Sequence, residues 1–453
     1  MNNPLHSLSQ FVTQTDYATL PAPLVEKAKR HFLDTLGAAL AGSQAELTQR
    51  TLRAMNASES DGASVIWGTE QGLSARNAAL VNGIAAHALE LDDAGGCDHS
   101  GAVVVPAMLA VLPLCDPMPN GKELINAMVI GYDVARRVLE ACGGYSPHNE
   151  AGWHSTGTCG VFGAAAACAR LLRLDATQTA SALGLAASMS GGLWAFIHDG
   201  ADSKKLHAGR PAEGGVLAVL LAREGVTGPN QVFDDVWGGF LRTLARDTAQ
   251  PAALTADLGV VWKLARCSIK PYAACRGTHS AIDAIGELLS DLGIKADEIE
   301  AIDVSASEFL VGMCAGLDTA TLAASQMSLP YALAVRCLLG HAGLEAYEEK
   351  QRTDPNVLGF MQRIRMHRDA SLAPLDEPRL TLTSKDGRRA SRQVKTPLGG
   401  PLNPIGDDAL LEKFRSLAAR ALPELHVERL AALCLKLDQK TDLQDLLDLL
   451  RFP

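Results

Sequence analysis

Aromatic residues are scarce in this sequence, since Phe, Trp and Tyr together make up 5% of its 453 residues. Hydrophobic residues nevertheless reach 47% and charged residues 20%, as in ordinary globular proteins. The core must therefore be aliphatic and rich in alanine, and such a core favours closely packed helices. The length allows roughly two or three domains.

An excess of basic residues is also absent. The formal net charge is −10 at pH 7, which argues against broad binding to nucleic acid or to anionic membranes. Residues 1–14 lack the basic start and long apolar run of a signal peptide. The longest apolar run, residues 102–114, is too short to span a bilayer. We therefore expect a cytoplasmic protein with no nucleic-acid or membrane partner.

The ten cysteines lack the spacing of a metal site, because no two of them form a C-x-x-C pair. They fit neither a zinc site, nor an iron–sulfur site, nor a disulfide framework. No glycine motif typical of nucleotide binding follows a predicted strand. The sequence therefore predicts a reducing environment and no metal ion or organic cofactor.

Helical periodicity dominates the first 260 residues, in which no strand pattern of any strength occurs. Residues 143–150 are predicted to form a loop. The predicted helices cover residues 21–42, 74 to about 91, 103–114, 121–142, 164–172, 177–190 and 212–224.

The rest of the chain alternates helical and strand patterns. Residues 298–307 alternate apolar and polar side chains, as a half-buried strand does. Strand patterns at 379–384 and 389–394 flank Asp386-Gly387, a dipeptide that suits a type I′ hairpin turn. Residues 396–404 are a linker rich in proline and glycine, before further helical patterns.

These patterns predict a mainly α fold with a smaller α+β domain. We expect a helical domain at 1–265 and an inserted α+β domain at 266–404. The C-terminal helices at 405–453 are expected to pack back on the helical domain, which makes that domain discontinuous in sequence.

A glycine-rich stretch, Gly152–Gly163, contains His154 and opens one of the predicted helices. Ser155, Thr156 and Thr158 are candidate N-caps, because their hydroxyl oxygens can accept free backbone N–H groups. A helix start is a favourable position for a carboxylate or phosphate, and a histidine beside it could exchange a proton near neutral pH. The alternative is a buried helix packed through its glycines, with a capping histidine.

An acidic cluster, Glu90-Leu91-Asp92-Asp93, ends another predicted helix, and His99 lies in the connection that follows. Carboxylates at a helix C-terminus meet the unfavourable end of the dipole. We therefore expect a compensating cation or a function at this position.

Two further stretches contain cations. Lys204, His207 and Arg210 are spaced by three, so they would share one face of a helix. Residues 258–282 contain Lys270 and Arg276 but no Asp or Glu. Such gathering of cations in an acidic protein indicates an anion pocket. The alternatives are a solvated basic face and ion pairs at a domain interface.

Taken together, these stretches resemble the MmgE/PrpD family, which includes 2-methylcitrate dehydratases, cis-aconitate decarboxylases and iminodisuccinate epimerase. The resemblance extends over nearly the whole chain. The motifs occur in order: Glu90–Asp93 through His99, GWHSTGTCGVFGAAAA (Gly152–Ala167), SKKLHAGRPAE (Ser203–Glu213), KPYAACRGTH (Lys270–His279), SQMSLPYALA (Ser325–Ala334) and GGPLNP (Gly399–Pro404).

The resemblance implies a site between the two domains, catalysis without metal or organic cofactor, and a homodimer. It implies that the catalytic residues are His99, His154, Lys204 and Lys270. The candidate substrate-binding residues are Glu90, Asp92, His207, Arg210, Cys275, Arg276 and His279.

The residue types fit the removal of a proton α to a carboxylate. The enediolate-like product needs cations and hydrogen-bond donors, and His99 and His154 could serve as base and acid. The resemblance makes dehydration of a small hydroxy-polycarboxylate of the citrate or 2-methylcitrate type the leading hypothesis, because most members of the family that are named for an activity are dehydratases. Epimerisation or isomerisation of a small dicarboxylate is the second hypothesis, and decarboxylation of a cis-aconitate type uses the same residue types. A non-catalytic carboxylate-binding protein is the alternative from another class.

Overall fold

The computed structural model describes residues 3–59 and 61–452. The chain divides into two compact units. A helical unit contains the described residues up to Trp194, then Ser203–Ile269 and the chain from Gly406 onward. An α+β unit contains Ala195–Asp202 and Lys270–Ile405. The predicted mainly α fold with a smaller α+β part is confirmed.

The helical unit is built from long helices whose buried residues are mostly alanine and aliphatic side chains. Its longer helices are Pro4–Gln14, Ala22–Ser43, Glu46–Asn56, Ala75–His87, Ser100–Val111, Gly121–Ala141, Ser155–Leu171, Ala176–Ala187, Ser203–Arg223, Asp407–Ala418 and Glu424–Leu435. Its shorter helices are Tyr145–Glu150, Phe240–Leu244 and Gln444–Leu449.

Glycines allow these helices to approach closely. A Cβ at Gly163 would lie 2.5 Å from the Gly131 carbonyl oxygen of the neighbouring helix. A Cβ at Gly157 would lie 2.1 Å from the Gly191 carbonyl oxygen. Both distances are below van der Waals contact, so an alanine at either position would push the elements apart. Gly157 and Gly163 of the stretch around His154 are therefore needed for close packing.

The structure corrects several predicted boundaries in this unit. The helix expected to reach about residue 91 ends at His87, because Glu90 adopts a left-handed φ of 57° that a helix cannot contain. The expected loop at 143–150 contains the helix Tyr145–Glu150. The helix expected from residue 212 begins at Ser203 and continues through Pro211.

Another correction concerns strands. None was expected before residue 260, but Ser64–Val65 and Gly72–Leu73 form a short antiparallel pair. Each strand has two residues, too few for a periodicity of hydrophobic side chains to be visible in the sequence.

The α+β unit contains a four-stranded sheet in the order Ile364–Arg368, Ile299–Ala306, Arg379–Ser384 and Arg389–Arg392. The first two strands are parallel, and the other pairs are antiparallel. The predicted hairpin is present, and Gly387 adopts a φ of 86° in its turn. Asp386 does not adopt the positive φ that a type I′ turn also requires, so the predicted turn type is wrong. The helices of this unit are His279–Leu292, Glu308–Cys314, Leu322–Gln326, Leu329–Leu339, Glu349–Arg352 and Pro355–Met361. Among the described residues, none of the helices is both long and apolar enough to cross a membrane.

Candidate active site

The acidic cluster of the helical unit is buried, and its first member, Glu90, lies between two lysines. Lys204 Nζ donates to Glu90 Oε1 at 2.5 Å, and Lys205 Nζ donates to Oε2 at 2.5 Å. Both lysines come from the first turn of the helix Ser203–Arg223. Burial lowers the pKa of Lys205 to about 8, although Glu90 acts in the opposite direction. Lys204 and Lys205 therefore both supply the compensating positive charge expected beside the acidic cluster.

Asp92 lies between two imidazoles. His87 Nδ1 is 2.9 Å from Asp92 Oδ1, and His99 Nδ1 is 2.9 Å from Oδ2. Burial alone would raise the pKa of Asp92, but the two neighbouring imidazoles hold it well below its usual value. Burial lowers the pKa of His87 well below its usual value. Asp92 thus accepts a charge-assisted hydrogen bond from His87 and lies within ion-pair distance of His99.

Asp93 connects this group to the core of the helical unit. Its carboxylate accepts hydrogen bonds from the Tyr132 hydroxyl at 2.7 Å and the Gly101 N–H at 2.9 Å. His31 Nδ1 lies 3.1 Å from the same carboxylate. The Asp93 carbonyl oxygen is 2.9 Å from His99 Nδ1. Buried contacts on three sides therefore fix the backbone that orients His99.

His154 is the N-cap of the helix Ser155–Leu171, and its side chain faces the same group. Its Nε2 lies 3.8 Å from Asp98 Oδ2, and the same oxygen is 3.4 Å from His99 Nε2. The Trp194 ring packs against it with centroids 5.1 Å apart. Burial lowers the pKa of His154 to about 4, although Asp98 acts in the opposite direction. The ring is therefore neutral at pH 7 and can accept a proton.

The predicted capping by side-chain hydroxyls at this helix is wrong. The cap residue is His154, without a side-chain capping bond. The hydroxyl of Thr158 is engaged by His148 Nε2 at 2.7 Å, and the hydroxyl of Thr156 accepts from the His99 N–H at 3.4 Å. The two hydroxyls therefore bond to histidines of the buried group and do not cap the helix.

His207 and Arg210 follow Lys204 on one helix but differ in their surroundings. His207 Nδ1 lies 3.0 Å from His154 Nδ1. The Arg210 side chain is 51% exposed and pairs with Glu213. Of the candidates in the helical unit, the structure thus brings together Glu90, Asp92, His99, His154, Lys204 and His207, but not Arg210.

The remaining candidates, Lys270, Cys275, Arg276 and His279, belong to the α+β unit. Lys270 and Cys275 are buried. An Arg276 guanidinium nitrogen lies 2.9 Å from Glu377 Oε1, and His279 Nε2 lies 3.2 Å from the Ala274 carbonyl oxygen. Their participation in one site with His99 and His154 stays a prediction.

Sequence reasoning missed His87, Asp98 and Lys205. The position of each residue in the sequence could have identified it as a candidate. His87 and Asp98 flank the acidic cluster and His99 within a few residues, and Lys205 is adjacent to Lys204. Periodicity did not single them out, because the chain leaves the helical conformation at Glu90, and Lys205 reaches this group from another helix.

Two sets of described side chains lie close enough together to hold a metal ion. They are His87, Asp92 and His99, and Asp98, His99 and His154. Within the first set, His87 Nδ1 donates a hydrogen bond to Asp92 Oδ1, whereas His99 Nδ1 lies 2.9 Å from Asp92 Oδ2 and is hydrogen-bonded to the Asp93 carbonyl oxygen. The ammonium groups of Lys204 and Lys205 also place positive charge beside Glu90. The arrangement can therefore balance its own charges with protein groups.

Known proteins resemble the chain over nearly its whole length. The MmgE/PrpD N-terminal domain matches residues 6–252, and the MmgE/PrpD C-terminal domain matches residues 272–439. A cis-aconitate decarboxylase-like protein of Aspergillus oryzae is 28% identical, over 98% of this chain and 96% of that protein. A cis-aconitate decarboxylase of Aspergillus terreus is 28% identical, over 96% and 93%. The Homo sapiens cis-aconitate decarboxylase is 26% identical, over 95% and 91%.

Proposed function

Because the chain belongs to the MmgE/PrpD family, we propose that it is a lyase that acts on a small polycarboxylate by dehydration. The substrate is a hydroxy-polycarboxylate of the citrate or 2-methylcitrate type. The observation that carries this proposal is the pair of buried imidazoles, His99 and His154, on either side of the Asp98 carboxylate. Next to them lie the two ammonium groups on Glu90.

Dehydration needs a base, an acid and a site for negative charge. A neutral imidazole takes the proton α to a carboxylate, and the electron pair of the C–H bond is delocalised into that carboxylate as an enediolate. The C–O bond of the neighbouring carbon then breaks, and an acid supplies the proton with which hydroxide leaves as water. His154 is available for the first step because burial lowers its pKa to about 4 and leaves the ring unprotonated at pH 7. The Asp98 carboxylate favours the charged form and so stabilises the imidazolium that proton transfer creates.

The lysines are suited to the charge that develops. Lys204 and Lys205 are buried, and ammonium groups in a water-poor site stabilise an enediolate more strongly than they would in water. We assign to Lys270 of the α+β unit the same role toward a second carboxylate, on the resemblance of its motif to the family. The homodimer expected from the family belongs to the proposal as well, and light scattering of the purified protein tests it.

Decarboxylation is the second candidate, favoured by the names of the curated relatives. In that reaction a C–C bond breaks, CO₂ leaves, and the electron pair remains on carbon until a proton is added. It needs the same cations and a proton donor, but no leaving hydroxide.

The test is a panel of tri- and dicarboxylates followed by three readouts. Alkene absorbance without CO₂ supports dehydration, and CO₂ release supports decarboxylation. Deuterium uptake from solvent without net change in composition supports epimerisation of a dicarboxylate. Saturable binding with none of the three would leave a carboxylate-binding protein and overturn the proposal of a lyase.

A further inference from the structure

Two histidines of the candidate active site contact each other directly. His154 Nδ1 and His207 Nδ1 are 3.0 Å apart, and the ring centroids are 5.1 Å apart. At this distance one nitrogen carries the proton and the other accepts it. The two imidazoles therefore cannot adopt their tautomers independently.

The surrounding backbone accommodates this contact. The His154 N–H donates to the Gly192 carbonyl oxygen at 3.0 Å. Gly192 has a φ of 137°, and a Cβ there would lie 3.3 Å from the His207 ring. A Cβ at Gly157 would lie 3.4 Å from the His207 Cβ. Gly192 thus fixes the backbone of His154 through its carbonyl oxygen. The absence of a side chain at Gly192 and Gly157 leaves room for His207.

The second nitrogen of His154 faces the other acid–base groups. Nε2 lies 3.8 Å from Asp98 Oδ2 and 3.5 Å from the Thr156 hydroxyl oxygen. When His154 Nδ1 donates to His207, Nε2 has a lone pair and can act as a base. When His207 donates instead, Nε2 carries a proton and can act as a donor.

We propose that His207 is a positioning residue that sets the tautomer of His154 and accepts its Nδ1 proton during turnover. The substrate step rests on the proposed function. In that step the substrate C–H bond breaks, its electron pair stays on carbon, and the proton forms a bond to Nε2 of His154. The Nδ1–H bond of His154 then breaks and an N–H bond forms at Nδ1 of His207, so His154 ends neutral and His207 ends charged.

The electrostatic surroundings allow this transfer. Burial lowers the pKa of His154 to about 4 and that of His207 to about 3, so the proton can move between the rings at little cost. Lys204 disfavours charge on both imidazoles, and His99 disfavours it on His154. Asp98 favours charge on His154, whereas His207 is partly exposed and can gain hydration. The pair therefore carries the charge in turn, first on His154 and then on His207.

The first test does not depend on activity. In protein labelled with ¹⁵N-histidine, the His154 nitrogens are identified by their loss in His154→Gln and then followed in His207→Ala. We expect the His154 shifts to move toward a different tautomer, while His6→Ala, an exposed histidine on a helix, leaves them unchanged. Unchanged His154 shifts in folded His207→Ala would overturn the proposal. If that variant does not fold, His207→Gln provides the same comparison.

The second test uses turnover of whichever polycarboxylate the wild type converts. We expect His207→Ala to lower kcat by about 10²-fold with little change in KM, since general acid–base groups contribute at least this much. Added imidazole should restore part of kcat, because the vacated position is partly exposed. A raised KM with unchanged kcat would instead assign His207 to substrate binding and overturn the proposal. A wild type that converts no carboxylate would refute the proposed function, while the ¹⁵N shifts would still decide on the histidine pair.

Discussion

In the helical unit, Glu90 lies between two ammonium groups and Asp92 between two imidazoles, all of them buried. In the α+β unit, the Arg276 side chain is 31% exposed where it pairs with Glu377. There, His279 contacts a backbone carbonyl. Titratable side chains that contact one another in a buried site shift each other's pKa. Side chains bonded to a partly exposed partner or to the backbone mainly stabilise a loop. The comparison therefore supports the proposal that proton transfer takes place in the helical unit.

Of the variants that test this comparison, His154→Gln is expected to have the largest effect on kcat. The substitution keeps a hydrogen-bond donor and an acceptor but cannot carry a titrating proton. We expect kcat to fall by about 10²- to 10⁴-fold with a similar melting temperature, because a general acid–base group is lost. Exchange of the substrate α-proton with deuterated solvent should slow as well.

The counterpart of this variant in the α+β unit is His279→Gln, which makes the same change at a candidate substrate-binding residue. Its loss of kcat should be much smaller. If His154→Gln melts early and its folded fraction turns over normally, His154 only anchors its loop, and His99 becomes the leading candidate for proton transfer.

The next largest effect is expected at the lysines, one in each unit. Lys204→Ala and Lys270→Ala should each lower kcat/KM by roughly 10²-fold, if the ammonium group meets the developing negative charge. Both kcat and KM should respond, because the same group binds a carboxylate in the ground state. Steady-state kinetics of both folded variants provide the measurement.

The Lys204→Ala variant is expected to stay folded, so a change in its kinetics would report on the site and not on folding. Lys205 still pairs with Glu90 when Lys204 is removed, so the variant should keep its fold. Normal kinetics in either folded variant would exclude that lysine from the site, and normal kinetics in Lys270→Ala alone would confine the chemistry to the helical unit.

The sequence predicted the features that depend on local spacing and missed those that depend on contacts between distant segments. Periodicity and the Asp386-Gly387 turn predicted the helices and the hairpin, because local spacing determines both. The motifs around His99, His154 and Lys204 predicted members of the buried group. The pairing of His154 with His207 could not be predicted, because it depends on the contact of segments 53 residues apart. The reach of Lys205 to Glu90 likewise depends on a left-handed residue that no pattern indicates.

A smaller effect concerns stability at acidic pH. Burial lowers the pKa of His87 and His154, so the unfolded chain binds protons below about pH 6.5 that the folded protein does not. Folding is therefore most favourable above this value, and stability is lost as the pH falls toward about 4, the pKa of folded His154. His154 contributes a slope of at most roughly 1.4 kcal/mol per pH unit.

Urea unfolding between pH 7 and pH 4.5 measures this slope. We expect His154→Gln to flatten it, and His341→Gln, a change at an exposed histidine of the α+β unit, to leave it unchanged. An equal slope in all three proteins would show that the fold does not hold His154 neutral.

The smallest effect is expected from removal of metal ions. His87, Asp92 and His99 could ligate a metal, but His87 is hydrogen-bonded to Asp92 and His99 to the Asp93 carbonyl oxygen. Lys204 and Lys205 already supply positive charge beside Glu90. A divalent ion would have to displace these hydrogen bonds and approach two ammonium groups, which Coulomb repulsion disfavours in a buried site. Dialysis against EDTA should therefore leave kcat and KM unchanged. Added zinc should inhibit, if it has any effect, by taking the imidazoles out of proton transfer. Loss of activity in EDTA that a divalent ion restores would show that the charge balance of this group is completed by a metal.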